Sequence, residues 1–270
     1  MSRIKQHWVA ALVSVGVLVF LYLPIVNVVM NSVNANERLL SWGGFTLEWF
    51  QEALTSSDFI EAFQQSLLIA FVVVAVSVLI ATTAVIGGRE FGNRMRVFQS
   101  SSMYLRLTLP EVVVVVGILA IVRLIPGVNL GPLWVMLGQA VIYSAYVMVI
   151  LQARLSIIAD LYENAAYDLG ASTWRCMRTV ILPLLAPSIL VGALMAFTFS
   201  LDAVVSVVFL GGPHTETVPI LIMSMIKKGI TPEVNAIGVI VTLFNLLVLA
   251  VLVKVVGVRQ TVAAAGGASE

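Results

Sequence analysis

Residues 159–188 read ADLYENAAYDLGASTWRCMRTVILPLLAPS. From Asp160 to Leu169 the residues Leu161, Ala165 and Leu169 recur at helical spacing with Ala166 beside them, which predicts a short helix. The small side chains of Ala165 and Ala166 leave its backbone open to close approach by another surface. Gly170 follows, and glycine is the residue that most readily ends a helix in a left-handed conformation. A second helix is expected from Ser172 to Val180, before Pro183 stops or kinks the chain. The stretch reads as helix, glycine turn and helix between two apolar runs. By itself it also fits an amphipathic loop lying on a leaflet.

The rest of the chain says what those runs are. Of its 270 residues 60% are hydrophobic and 11% charged, with mean hydropathy +1.04. Soluble domains carry roughly 25% charged residues, and disorder needs low hydrophobicity, so both classes are excluded. A membrane-crossing helix needs about 20 apolar residues. Six segments meet or approach this: Trp8 to Met30, Ser66 to Gly88, Glu111 to Ile125, Pro132 to Gln152, Leu184 to Leu210 and Val234 to Gly257. The third is short and must borrow residues upstream of Pro110. The first is too long for a signal-peptide core and no small-x-small cleavage site follows it, so it is read as a retained span. The expected fold is all-α, a six-helix transmembrane bundle forming one domain over residues 1–270.

Lys and Arg concentrate in cytoplasmic loops. An N-terminus inside places Arg3, Lys5, Arg89, Arg94, Arg96, Arg106, Arg154, Arg175, Arg178, Lys254 and Arg259 on the cytoplasmic side, and leaves only Arg38, Arg123, Lys227 and Lys228 outside. Both termini and residues 160–183 are then cytoplasmic. The loop Arg89 to Arg106 reads as a basic topological anchor. In the outer stretch 31–65, Thr46 is expected to cap a short helix with Leu47, Phe50 and Leu54 on one face and Trp49 as a headgroup anchor. Asp58 and Glu61 have capping-box spacing. Residues 259–270 read as a flexible tail.

Two carboxylates fall inside predicted spans, Glu111 and Asp202. An ionised acid at mid-membrane costs at least ~2.5 kcal/mol, so it normally faces a bundle interior, a cavity or a cation. Ser200 and Ser206 extend a polar stripe around Asp202, which reads either as a path for a cationic substrate or as a structural acid. Glu111 follows Pro110 and suits a helix start, with substrate contact as the alternative. Trp134, Tyr143 and Tyr146 on the fourth span offer cation–π faces or packing anchors. The lone Cys176 and the separated His7 and His214 make no metal site, no grouping suggests catalysis, and a net charge of +1 with dispersed cations gives no basis for nucleic acid.

Asn164, Ala165, Ala166, Gly170, Val180, Leu182 and Pro183 fall at the positions of the EAA loop, whose pattern is E-A-A, three residues, G, nine residues, I, one residue, L-P. The chain therefore resembles the permeases of type I ABC importers, with Asn164 for Glu and Val180 for Ile as departures. GFTLEWFQEAL at 44–54, QQSLLIA at 64–70 and LPEVVVVVGI at 109–118 resemble further stretches of that family. SLDAVVSVVFLGGP at 200–213 and VPILIMSMIKKGITPEVNAIGVI at 218–240 resemble more narrowly the second permease of spermidine/putrescine importers. In those permeases an Asp-Asp pair often stands where this chain has Asp202 and Ala203.

The resemblance implies that the segment from Glu163 to Asp168 docks on an ATPase subunit, with Glu163 or Asp168 replacing the charge absent at Asn164. It also implies two cytoplasmic ATPase subunits that carry ATP and Mg, a second permease and an external substrate-binding protein. No cofactor is expected on this chain, its setting is the bacterial cytoplasmic membrane, and its cargo is expected to be polyamines. Other cargo of the same class (ferric iron, phosphonate or a related amine) stays open, as does an ATP-independent secondary transporter. A membrane scaffold or assembly protein is a further alternative.

Overall fold

The computed structural model describes residues 2–90 and 92–266. Among the described residues the regular structure is helical, with one isolated bridge between Asn34 and Phe45. In chain order the helices are α1 (Ser2–Ser32), α2 (Glu48–Thr55), α3 (Ser57–Glu90), α4 (Asn93–Thr108), α5 (Glu111–Arg123), α6 (Pro132–Asp168), α7 (Thr173–Cys176), a π-helical turn (Met177–Ile181), α8 (Leu182–Leu201), α9 (Val205–Leu210), α10 (Val218–Lys228) and α11 (Pro232–Gly266). Among the described residues five helices are long and apolar enough to cross a membrane, and a bent pair counted as one makes six. The chain divides into two compact units, one of Met1–Ile60 with Leu221–Leu246 and one of Glu61–Ile220 with Leu247–Glu270.

In the first unit Asn34 organises the turn after α1. Its Oδ1 accepts the N–H of Gly43 (2.8 Å) and of Asn36 (3.1 Å), and its Nδ2 donates to the Ser41 carbonyl at 3.0 Å. The Trp49 indole donates to the Asn34 carbonyl at 2.9 Å, so its polar edge serves the protein rather than a headgroup. That bond sets the rotation of α2. Ala53, one turn on from Trp49, is fully buried, whereas Leu47 and Leu54 of the expected apolar face are exposed. Thr46 Oγ1 accepts the Glu48 N–H at 3.2 Å, but from one residue before the cap position, which Leu47 occupies. The start of α3 differs from expectation: Ser56, not Asp58, accepts the N–H of Phe59, so Asp58 and Glu61 form no capping box.

In the second unit α6 is the central strut. It runs unbroken through the expected end of the fourth span at Gln152, so the short helix expected from Asp160 to Leu169 is the end of a 37-residue rod and not a separate element. Val135, Met148 and Leu151 on α6 are buried in one cluster with Ile69, Val73, Val115, Ile181, Leu185 and Leu210. Ser77 of α3 donates to the Ala140 carbonyl at 3.2 Å. Gly192 of α8 lies so close to α6 that a Cβ there would sit 2.8 Å from Val147 Cγ1.

Two expected spans are broken. The third is not a straight helix lengthened past Pro110: α4 and α5 meet at 108° across Leu109 and Pro110, because a residue before proline is driven from the helical region. The basic loop Arg89 to Arg106 is in fact the end of α3 and most of α4. Arg106 is no loop charge either, for it bonds to Val141 and Ser144 within α6. The fifth span ends at Leu201, and residues 202–204 separate α8 from α9. At its start, Pro183 neither stops nor separates the helix: the π turn before it joins α7 to α8, which accommodates the missing proline N–H. The expected flexible tail is helical to Gly266, in keeping with its alanine run, and 267–270 lie outside the described residues.

Gly192→Ala is expected to destabilise the detergent-solubilised protein by about 1–3 kcal/mol through overpacking. Thermal unfolding checks this: a lowered midpoint, partly restored by adding Val147→Ala, is expected, and an unchanged midpoint contradicts the close approach.

Candidate functional site

Two regions of the second unit collect the residues singled out by sequence. The first is the break between α8 and α9. At the end of α8 the Asp202 N–H still bonds the Thr198 carbonyl, but the Ala203 N–H shifts to Ser200, three residues back. The Phe199 carbonyl is thereby released, and the Tyr143 hydroxyl of α6 donates to it at 3.2 Å. One turn earlier on α6, Gln139 spans the break: its Oε1 accepts from Ser200 Oγ at 2.6 Å, and its Nε2 donates to Ser206 Oγ at 2.9 Å. All three of these side chains are buried. In an apolar surrounding such groups must be paired, because each one left unmade costs about 1–3 kcal/mol.

This geometry revises the polar stripe. Ser200 and Ser206 turn inward onto Gln139, while Asp202 is exposed on this chain. The three do not share a face because the helix stops between them. Ala203, where the resembled permeases often place a second acid, is buried. Glu111, at the first position of α5, is half-buried, and its carboxylate lies against the backbone N–H of Ser206 in the first turn of α9. An acid at a helix start is favourable. Its Oε1 is buried without a hydrogen-bond partner.

Glu111, Asp202 and Tyr146 all lie within electrostatic range of the Tyr143 hydroxyl. The Phe199 ring stands 5.8 Å from that of Tyr143 and 5.2 Å, edge-on, from that of Tyr146. Two carboxylates thus lie in the neighbourhood of an aromatic cluster at the break. Trp134 packs against the core instead. Gln139 was not among the sequence candidates, although it is the one amide between Pro132 and Leu151 on the fourth span. A search for intramembrane charges passes over it; a search for any intramembrane polar group finds it.

The second region is the Asp168 end of α6. Gly170 has φ +76°. Its N–H bonds the Tyr167 carbonyl at 2.9 Å, and the Ala171 N–H bonds the Ala166 carbonyl at 3.0 Å. This double closure is the Schellman motif, which satisfies the last carbonyls of α6. Ser172 then caps α7 by accepting the Arg175 N–H. Ala165 and Ala166 do not act together: Ala166 packs into the core, whereas Ala165 is exposed. Asn164 and Asp168 are exposed, Glu163 is half-buried, and Leu182 and Pro183 are exposed at the start of α8. Leu161, Leu169 and Trp174 are 70%, 88% and 74% exposed, an apolar surface around a fixed turn.

The second unit thus joins one long helix, closed by a Schellman turn, to a broken helix that carries an acid at its break. Residues 80–259 match the family described as binding-protein-dependent transport system inner membrane component, and the chain belongs to that family. It is therefore a multi-pass protein of the bacterial inner membrane and the permease component of its transport system. Within this class it is 33% identical over 227 residues to the spermidine/putrescine transport system permease protein PotC of Haemophilus influenzae, covering 84% of this chain and 88% of the relative. It is 29% identical over 248 residues to the putrescine transport system permease protein PotI of Escherichia coli strain K12, covering 88% and 86%. The fold matches a bacterial ABC transporter involved in the import of the acidic polysaccharide alginate, with TM-score 0.71 at 15% identity over 94% of this chain and 97% of that one. A related structure holds an alginate pentasaccharide-bound periplasmic protein (TM-score 0.65, 16% identity, 94% of each chain).

Gln139→Leu is expected to leave two buried hydroxyls unpaired, a loss of about 1–3 kcal/mol. Hydrogen exchange reads the effect locally: faster exchange at 202–206, with 166–171 unaffected, is expected. Unchanged protection at 202–206 contradicts the bridging role.

Proposed function

We propose that the chain is a transmembrane permease subunit of an ATP-driven importer that moves polyamines inward. The observation that carries the cargo is the 33% identity to a spermidine/putrescine permease over 84% of the chain. The chemistry of the break supports it. A polyamine is a chain of ammonium groups on apolar methylenes, and carboxylates beside aromatic faces attract such a cargo by charge and cation–π contact. Asp202, exposed at the end of α8, is the first acid on this path. Glu111 supplies from α5 the second carboxylate that Ala203 lacks, and Tyr143 and Tyr146 offer the aromatic faces. Ser200 and Ser206 serve the path indirectly, by holding the break through Gln139.

The proposed orientation keeps both termini and the Gly170 turn in the cytoplasm, on the remaining basic residues once Arg106 is set aside. The turn then presents Asn164, Ala165, Asp168, Leu169 and Trp174 to one of two ATPase subunits, which carry the ATP and Mg. Glu163 and Asp168 supply the charge that Asn164 does not. A second permease completes the path and an external binding protein delivers the cargo. Closure of the ATPase pair moves the docked turn, and with it α6 and the break that α6 holds.

Two outcomes test this in proteoliposomes containing the whole complex. Asp202→Asn is expected to raise the KM for polyamine uptake about tenfold, the loss of one charge-assisted contact; unchanged uptake kinetics count against a pathway charge. Gly170→Val forces a branched residue into a left-handed conformation at a cost of roughly 1–2 kcal/mol. ATP hydrolysis is then expected to continue with little uptake, and wild-type coupling in that variant contradicts the docking role.

A further inference from the structure

Arg106 is a charge among the spanning helices that the transport reading leaves unused. It sits on α4 just before the 108° bend to α5. From there its Nη1 donates to the Val141 carbonyl at 3.0 Å and to Ser144 Oγ at 2.9 Å on α6, and its Nη2 lies 3.6 Å from Met148 Sδ. Its Nε donates to the Ser102 carbonyl of its own helix at 3.2 Å. These partners are a carbonyl pair, a hydroxyl and a thioether, all neutral.

Val141 and Ser144 stand about 14 and 18 Å along α6 from Pro132, well inside the span Pro132–Ile158. Val141, Ser144 and Met148 lie along one face of α6. A cation at that depth is expensive, and one that spans two turns of a neighbouring helix uses the forked geometry that lysine lacks.

The place of this contact suggests its role. Pro110 contributes no N–H, so the backbone across the bend is a weak joint. Beyond it, α5 begins with Glu111, whose carboxylate lies against α9. Behind it, α6 runs without interruption to the Gly170 turn.

We propose that Arg106 is a positioning residue: a latch that ties the α4–α5 bend to α6, so that displacement of the docking turn carries Glu111 with it. This rests on the reading of Glu111 as a cargo contact. Without the latch, α6 still moves with the ATPase subunits, but the bend flexes and the acid does not follow. Cargo binding and ATP hydrolysis each persist while the link between them weakens.

The test is the number of polyamine molecules imported per ATP hydrolysed by the whole reconstituted complex. For Arg106→Met we expect normal assembly, basal ATPase near wild type, and that ratio lowered about tenfold, the size typical of lost coupling between sites. Arg106→Lys is expected to restore only part of it, since one ammonium can take over the Nη1 bonds to Val141 and Ser144 but not also the Nε bond to Ser102 and the Nη2 contact with Met148. Ser144→Ala is expected to lower the ratio less, and to add nothing when combined with Arg106→Met. A wild-type ratio in Arg106→Met overturns the latch. So does a parallel fall in ATPase and uptake that Arg106→Lys fully repairs, which is the signature of a merely structural cation. If Arg106→Met does not assemble, Ser144→Ala decides: a lowered ratio supports the latch and a wild-type ratio overturns it. Glu111→Gln separates the two ideas, because an unchanged KM in that variant refutes the cargo contact, whereas the import ratio of the Arg106 variants judges the latch.

Discussion

A helix that breaks inside a membrane releases backbone groups where no water can take them, and the second unit is arranged around the answer to that constraint. At the α8–α9 break the answer comes from α6. Tyr143 takes the Phe199 carbonyl, and Gln139 joins Ser200 to Ser206. The break can persist because α6 does not break. Its length carries these partners, the Val147 face that receives Gly192, and the Schellman turn at its end. One continuous rod therefore connects the place where cargo is proposed to pass with the place where ATPase contact is proposed.

The same arrangement explains why irregular backbone and acidic side chains occur together. An exposed acid in a regular apolar helix would face lipid. At a break it stands at a helix end, where local geometry and neighbouring polar groups differ from those of a helix flank. Asp202 follows α8 and Glu111 faces the first turn of α9, so both acids are tied to helix termini. Irregular backbone at membrane depth is tolerated where it is buried in protein or lines a path. The break has a buried, satisfied side on Gln139 and an acid-bearing side at Asp202.

Much of this was legible in the sequence. Apolar length gave the membrane class, and Gly170 after the helical run marked the turn that ends α6, where it takes the left-handed position. The glycine is readable because few other residues tolerate that conformation. What was not legible depends on partners distant in sequence. Nothing local to Trp49 announces that Asn34 will take its indole, so the expectation of a headgroup anchor there fails. The run from Leu184 to Leu210 is apolar enough for one span despite Ser200, Asp202 and Ser206, and the groups that hold the break, Gln139 and Tyr143, come from another helix. Arg106 was counted with the cytoplasmic cations because charge is easily read as loop; its acceptors lie thirty-five or more residues later in the chain. The polar stripe failed for a related reason, since helical spacing has no meaning across residues 202–204.

The central claim is that this permease supports ATP-driven inward movement of polyamines. The most direct measurement is uptake of labelled putrescine and spermidine into proteoliposomes holding the chain with its partner permease, ATPase subunits and binding protein. The account predicts accumulation that requires ATP and the binding protein, and that excess polyamine but not a phosphonate suppresses. Accumulation without ATP, or ATP-driven uptake of a phosphonate with polyamines excluded, would contradict it.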